Sequence, residues 1–285
     1  MGTTTIEKLT GNQRATNHKS AKELRAQGYE VTSPEQKEAR KKWIANKDTK
    51  HWSWQNTLMY ISQRDNLTPI QRGSLLIMST FLDNNGEGKL HDSIGGELTV
   101  IKFAKLIEKS VRTAKRIIEE CENIGALTTH KEGKETVISF TDMLYICGKL
   151  PSDKEMKYVK VFKTSVRALV KDFKLNEIGF LADVLPHFHH ENHILCENPT
   201  WNGTDGMEVW RRVDIVENLH YEKKFVSATI MKFIRNGVML ELRGRRDVLY
   251  LHPDIARRSP EKCIPEEVEK VACSVADDPK VKYTR

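Results

Sequence analysis

The chain has 285 residues, 30% of them charged and 39% hydrophobic, a composition that excludes a disordered or membrane-embedded class and allows two modest cores. Its formal net charge is +7, which points to a polyanionic partner only where the cations cluster. Five cysteines, widely spaced and without a Cys-x-x-Cys pair, argue against a zinc finger or a disulfide framework and fit a reducing compartment.

Residues 1–65 read as a polar, basic extension. MGTTTIEKLTGNQRATNHKS lacks the apolar centre of a secretory signal. Apolar runs such as Leu75–Met78 and Ile178–Leu185 fall short of the roughly 20 residues that span a bilayer, so a cytoplasmic, nucleoid-associated location and no membrane partner are expected. The stretch from Gln36 to Lys50 is basic and helix-compatible. Trp52 and Trp54 are expected to dock it onto the first domain, since a wet indole is costly.

Compact structure is expected from Leu67-Thr68-Pro69, with Thr68 as N-cap and Pro69 at the first helical position. The cluster Asp83–Gly88 marks a turn. The spacing predicts a first domain over 66–148, a polar linker over 149–157, a second domain over 158–255 and a charged tail over 256–285, the tail as short helix or disorder.

The informative feature is an internal repeat. Ile101–Asp142 and Val213–Asp254 align without gaps, matching Phe103 with Ile215, Ile107 with Leu219, Ala114 with Val226, Ile118 with Ile230, Cys121 with Phe233 and Gly125 with Gly237. Each copy reads as helix, turn, helix, then β-hairpin, with a left-handed cap at the glycine. The expected fold class is mainly α with small β-hairpins (α+β), built as two tandem winged helix-turn-helix domains.

The face opposite the apolar stripe carries the candidate site. In copy one it displays Lys109, Ser110, Arg112, Thr113, Lys115 and Arg116; in copy two Lys223, Lys224, Ser227, Thr229, Lys232 and Arg235. Side chains of these types at a helix N-terminus suit major-groove edges and flanking phosphates. The hairpin tips add Lys131 and Lys134 in copy one, and Arg243, Arg245 and Arg246 in copy two, placed as cationic wings along a phosphate backbone. The expected partner is double-stranded DNA, read as two half-sites by one chain in an order that suggests a direct repeat. Host replication or transcription proteins are the alternative partners, met through Trp52 and Trp54, the Trp201–Trp210 stretch and the segment around Glu266.

SVRTAKRIIEECENIGAL resembles the recognition helix of MarR/GntR-like winged-helix regulators. The stretch from Val159 to Pro253 resembles RepL-type replication proteins of Firmicute plasmids, carried by an amphipathic lead-in helix, a helix-turn-helix, Asn236-Gly237 before the wing, and a terminal strand with Leu249 and Pro253. The insertion Asn198–Trp210 and the additional upstream unit depart from that pattern. The resemblance implies DNA binding in replication initiation or transcriptional control, of a phage or plasmid.

Other chemistry finds little support. His187, His189, His190, His193 and Cys196 form the one metal-like run, yet consecutive histidines point apart and a structural or surface role is expected. No H-E-x-x-H, G-x-S-x-G, Walker A or G-x-G-x-x-G pattern occurs. No cofactor, metal or catalytic residue is therefore expected, and the chain reads as a non-enzyme.

Overall fold

The computed structural model describes residues 6–7, 23, 26–27, 30–46, 50–84, 87–92, 94–148, 150, 157–258 and 264–284. They divide into two compact units, Met1–Thr49 and Lys50–Arg285. In the first, β1 (Ile6–Glu7) pairs antiparallel with β2 (Glu30–Val31), and α1 (Pro34–Asn46) covers most of the basic stretch read as helical. Ser33 and Gln36 start α1 reciprocally, each backbone N–H donating to the other's side chain at 2.9 and 3.1 Å, the arrangement of a capping box.

In the second unit the chain forms β3 (Trp52–Asn56), α2 (Thr57–Gln63), α3 (Pro69–Ser79), α4 (Val100–Leu106), α5 (Val111–Asn123), β4 (Leu127–Glu132), β5 (Glu135–Phe140) and β6 (Tyr145–Ile146). It continues through β7 (Tyr158–Phe162), α6 (Lys163–Ala168), α7 (Leu175–Val184), β8 (Glu208–Val209), α8 (Arg212–Leu219), α9 (Lys223–Arg235), β9 (Met239–Arg243) and β10 (Asp247–Leu251). It ends with β11 (Ala256–Arg257), α10 (Pro265–Asp277) and β12 (Lys282–Tyr283). Ten α-helices and small sheets among the described residues make this an α+β fold.

Local chemistry explains the helix boundaries. Thr68 and Gln71 close a capping box on α3, with Pro69 at the first position, where its missing N–H costs nothing. Ser110 accepts the Thr113 N–H to open α5. The buried residues of α5 (Ala114, Ile117, Ile118, Cys121) and of α9 (Val226, Thr229, Ile230, Phe233) fall at i, i+3, i+4 and i+7, one face of each helix.

The aligned copies keep register through the second helix and its cap, but the second hairpin is one residue shorter: Leu127 pairs with Phe140, whereas its counterpart Met239 pairs with Leu251. Gly125 (φ 76°) and Gly237 (φ 67°) both take the left-handed conformation after that helix. So do Glu108 (φ 53°) and His220 (φ 55°), at equivalent places in the two inter-helix turns. Neither is glycine, so each turn carries strain of about 1–2 kcal/mol.

The repeat reaches further upstream than the sequence alignment, because β3–α2–α3 and β7–α6–α7 are equivalent too. The central sheet runs β11-β7-β3-β6, and β3 pairs antiparallel with β7 so that Trp54 lies opposite Lys160, its own counterpart. On the flanks Gln55 pairs with Tyr145 and Val161 with Ala256. Gly73 of α3 and Gly179 of α7 abut each other's helices. These pairings are reciprocal, as an isologous two-fold relation between the copies requires.

The organisation differs from the expected one in its core, while the tail takes the short helix expected of it. The domains placed at 66–148 and 158–255 do not have separate cores: one apolar cluster runs from Tyr60 to Ala256, drawing on both copies. Of the linker 149–157, only Leu150 and Lys157 belong to the described residues. Trp52 and Trp54 are strand residues of the central sheet, Trp54 buried, with Lys160 Nζ 4.7 and 5.6 Å from their ring centres; through β3 they join the two copies. The tail is ordered over much of its length. Val268, Ala272, Val275 and Ala276 of α10 pack with Ile194, Met207, Val209, Val248 and Tyr250 in a second apolar cluster, while β12 pairs parallel with β8.

Candidate nucleic-acid interface

In the first copy the cations of the sequence-predicted face lie at the surface. Lys109, Arg112, Lys115 and Arg116 are exposed along the start of α5, and none makes an ion pair among the described residues. Val111 stands beside them, 40% exposed. Ser110 and Thr113 serve the helix itself: Ser110 Oγ accepts from Thr113 N at 3.1 Å and lies 2.9 Å from Thr113 Oγ1. Thr113 is half-buried. No acid occupies the first turn of α5, although a carboxylate there stabilises an isolated helix. Cations plus free N-terminal N–H groups leave this end strongly positive and suited to an anion.

The hairpin of the first copy carries Lys131 and Lys134 at its exposed tip, around Gly133 (φ 58°). Both lysines are free of ion pairs among the described residues.

In the second copy the sequence reading holds less well. Lys223, Lys224 and Arg235 are exposed, and Ser227 is half-buried. Thr229 is only 2% exposed; it lies on the inward stripe between Val226 and Phe233, so its place was set by helical phase and not by its hydroxyl. Lys232 turns inward as well, its Nζ 2.7 Å from Glu177 Oε2 of α7 and 4.7 Å from the Phe173 ring centre.

The second hairpin tip is occupied. Arg246 donates from Nη1 to Asp278 O at 2.6 Å and from Nη2 to Pro279 O at 3.3 Å, and its backbone N–H reaches Ala276 O at 3.0 Å. The Arg245 N–H donates to Asp277 Oδ1 at 3.0 Å. The C-terminal end of α10, where a helix is electronegative, thus seats on the β9–β10 hairpin. Arg243 and the Arg245 side chain remain exposed, but Arg246 is a structural residue and not an outward phosphate contact. Nothing in the basic wing sequence signals this; the apolar spacing of residues 268–276 was the available clue.

Sequence reasoning also missed residues on the outward face of α9. Ala228 is exposed, and Met231 is 39% exposed. Arg212 Nη2 lies 2.8 Å from Glu241 Oε1 and 3.7 Å from Met231 Sδ.

Part of the net charge is internal. Arg72, Lys160, Lys163, Arg257 and Arg258 are buried, against Asp183 and Asp214, so the raw charge overstates the surface available to a polyanion.

The histidine run is packed into the fold. The His187 ring stacks on Trp210 with centroids 4.3 Å apart, and His189 Nε2 lies 2.8 Å from Trp201 O. Burial pushes His187 and His193 down to about 3 and His189 down to about 4. No group of three or more His, Cys, Asp or Glu among the described residues is placed to hold a metal ion. Cys121 and Cys196 are buried, with their thiols pushed up to about 12 by burial, which makes them inert. No helix among the described residues is long and apolar enough to cross a membrane.

Comparison with protein-family models, curated proteins and solved structures gives no match.

Proposed function

We propose that this chain binds double-stranded DNA through two winged helix-turn-helix units, and that it acts in replication initiation or transcriptional control of a phage or plasmid. The observation that carries the reading is the exposed, unpaired cationic start of α5, with no acid in its first turn; the β4–β5 tip adds the exposed Lys131 and Lys134. A helix N-terminus of this kind enters a major groove while a hairpin follows the backbone. The likeness of this segment to MarR/GntR-like regulators, and of 159–253 to RepL-type replication proteins, is consistent with that assignment.

The two-fold relation between the copies alters the expected target. Helices related by a dyad meet the duplex in opposite senses, so two half-sites in inverted orientation fit better than the direct repeat suggested by tandem order.

The test is a titration of the full chain against a labelled mixed-sequence duplex at low salt, followed by fluorescence anisotropy. Binding at micromolar protein or tighter is expected. Arg112→Ala combined with Arg116→Ala should weaken it by at least tenfold, while Lys270→Ala with Lys282→Ala in the tail should change it little. Absence of duplex binding by the wild-type chain at micromolar concentration overturns the reading.

A further inference from the structure

The two outward helix faces, equivalent by the repeat, differ in chemistry at aligned positions. On α5 they present Arg112, Arg116 and Glu119 in successive turns, all exposed. The residues in the same places on α9 are Lys224, Ala228 and Met231, also exposed. An arginine fork matches O6 and N7 of guanine, and a carboxylate accepts from N4 of cytosine. A methyl group offers neither; its partner in the major groove is the C5-methyl of thymine.

The surroundings sharpen the contrast. Lys232, the cation nearest the middle of α9, is turned inward to Glu177. Arg212 is held by Glu241 beside the Met231 sulfur, which leaves the centre of this face apolar. The β4–β5 tip is free whereas the β9–β10 tip carries the end of α10. Backbone anchoring therefore concentrates on the first copy, and the second copy is left with base contacts of a different kind.

From these observations we infer that the two helices read chemically different half-sites. Helix α5 selects a G·C-rich half through Arg112, Arg116 and Glu119, and α9 selects a thymine-rich half through Ala228 and Met231. The inference rests on the duplex-binding reading above. Its consequence is a target that is inverted in orientation but not palindromic in sequence, so that a single chain has one binding polarity.

The experiment is selection of bound duplexes from a random library by the full wild-type chain at low salt, repeated with Ala228→Arg combined with Met231→Glu. That variant gives α9 the residues of α5 at two exposed positions. Wild type is expected to enrich one G·C-rich and one thymine-rich half at fixed spacing. In the double variant the thymine-rich half should be replaced by an inverted copy of the first. The milder Met231→Gln should move the preference at its own position from thymine toward adenine.

A thymine-rich half retained in both variants overturns the inference. So does a wild-type site with one half only, the result expected if the apolar face of α9 docks a protein instead. Failure of wild type to retain any duplex overturns the duplex-binding reading itself, a distinct outcome.

Discussion

Gly73 and Gly179 face each other across the crossing of α3 and α7, and each is bare because of the other's helix. A Cβ on Gly73 would overlap Leu175 O and stand 2.9 Å from Gly179 N; one on Gly179 would overlap Pro69 O and stand 2.8 Å from the Pro69 carbonyl carbon. Backbone atoms cannot swing aside as a flexible side chain can. The near-symmetric clash marks a close backbone approach between the two copies.

Gly73→Ala or Gly179→Ala should therefore each destabilise the second unit by about 3 kcal/mol or more, at the upper end of overpacking costs. Thermal and urea unfolding measure this. A loss below about 1 kcal/mol would mean that the helices separate easily and that the interface is loose.

The inter-helix turns respond in the opposite sense. Glu108 and His220 hold left-handed backbone without the freedom of glycine. Glu108→Gly should stabilise by about 0.5–1 kcal/mol, the strain relieved less the added freedom of the unfolded chain. His220→Gly should do the same, and a rise in Tm of each variant checks it. Neither residue was distinguishable in the sequence, since nothing there signals a positive φ at a glutamate or a histidine.

Asp183 ties the two copies together by charge. Arg72 Nε lies 2.9 Å from its Oδ1; Tyr60 OH donates to Oδ1 and Tyr221 OH to Oδ2, each at 2.7 Å. Burial pushes this carboxyl upward, opposed by Arg72 and the two tyrosine hydroxyls. Asp183→Ala should cost about 3–5 kcal/mol because it strands a buried guanidinium. Arg72→Met with Asp183→Leu should cost much less than either change alone. Additive losses in that double variant would deny the coupling.

The buried histidines set an acid limit. Their folded-state values of about 3, 3 and 4 for His187, His193 and His189 lie below the ordinary value of about 6.5. Their contribution is present above pH 6.5 and is lost as pH falls toward the folded-state values, because the unfolded chain takes up protons first. Between pH 7.5 and 5.5 the loss should reach about 1.4 kcal/mol per histidine, about 4 kcal/mol in all. Urea unfolding at the two pH values measures it, and equal stability at both would contradict the burial of these rings.

Much of this fold was legible in the sequence, for identifiable reasons. The gapless match of Ala114/Ile118/Cys121 with Val226/Ile230/Phe233 gave both helices and the presence of both hairpins, because helical phase and Gly125/Gly237 carry their own signals, but it missed the one-residue shortening of the second hairpin. The equivalence of β3–α2–α3 with β7–α6–α7 was hidden. Its chemistry diverged, with Trp54 opposite Lys160 and Ile77 standing where the second copy has Asp183. At the candidate site, helical phase puts Arg112 and Arg116 at the surface, where their residue types are expected. Residue type misled at Thr229, which faces the core, and at Arg246, whose partner is a distant segment of the chain.

The measurement closest to the central claim is the dependence of duplex affinity on salt for three proteins: wild type, Arg112→Ala/Arg116→Ala, and Lys131→Ala/Lys134→Ala. Each phosphate neutralised contributes about 0.9 to the slope of log affinity against log salt. Wild type should show a steep slope. Each double variant should lower it by about one to two, with the helix variant also losing affinity at every salt concentration. A slope near zero in wild type, or one identical in all three proteins, would place any DNA contact elsewhere and contradict the assignment of α5 and the β4–β5 hairpin.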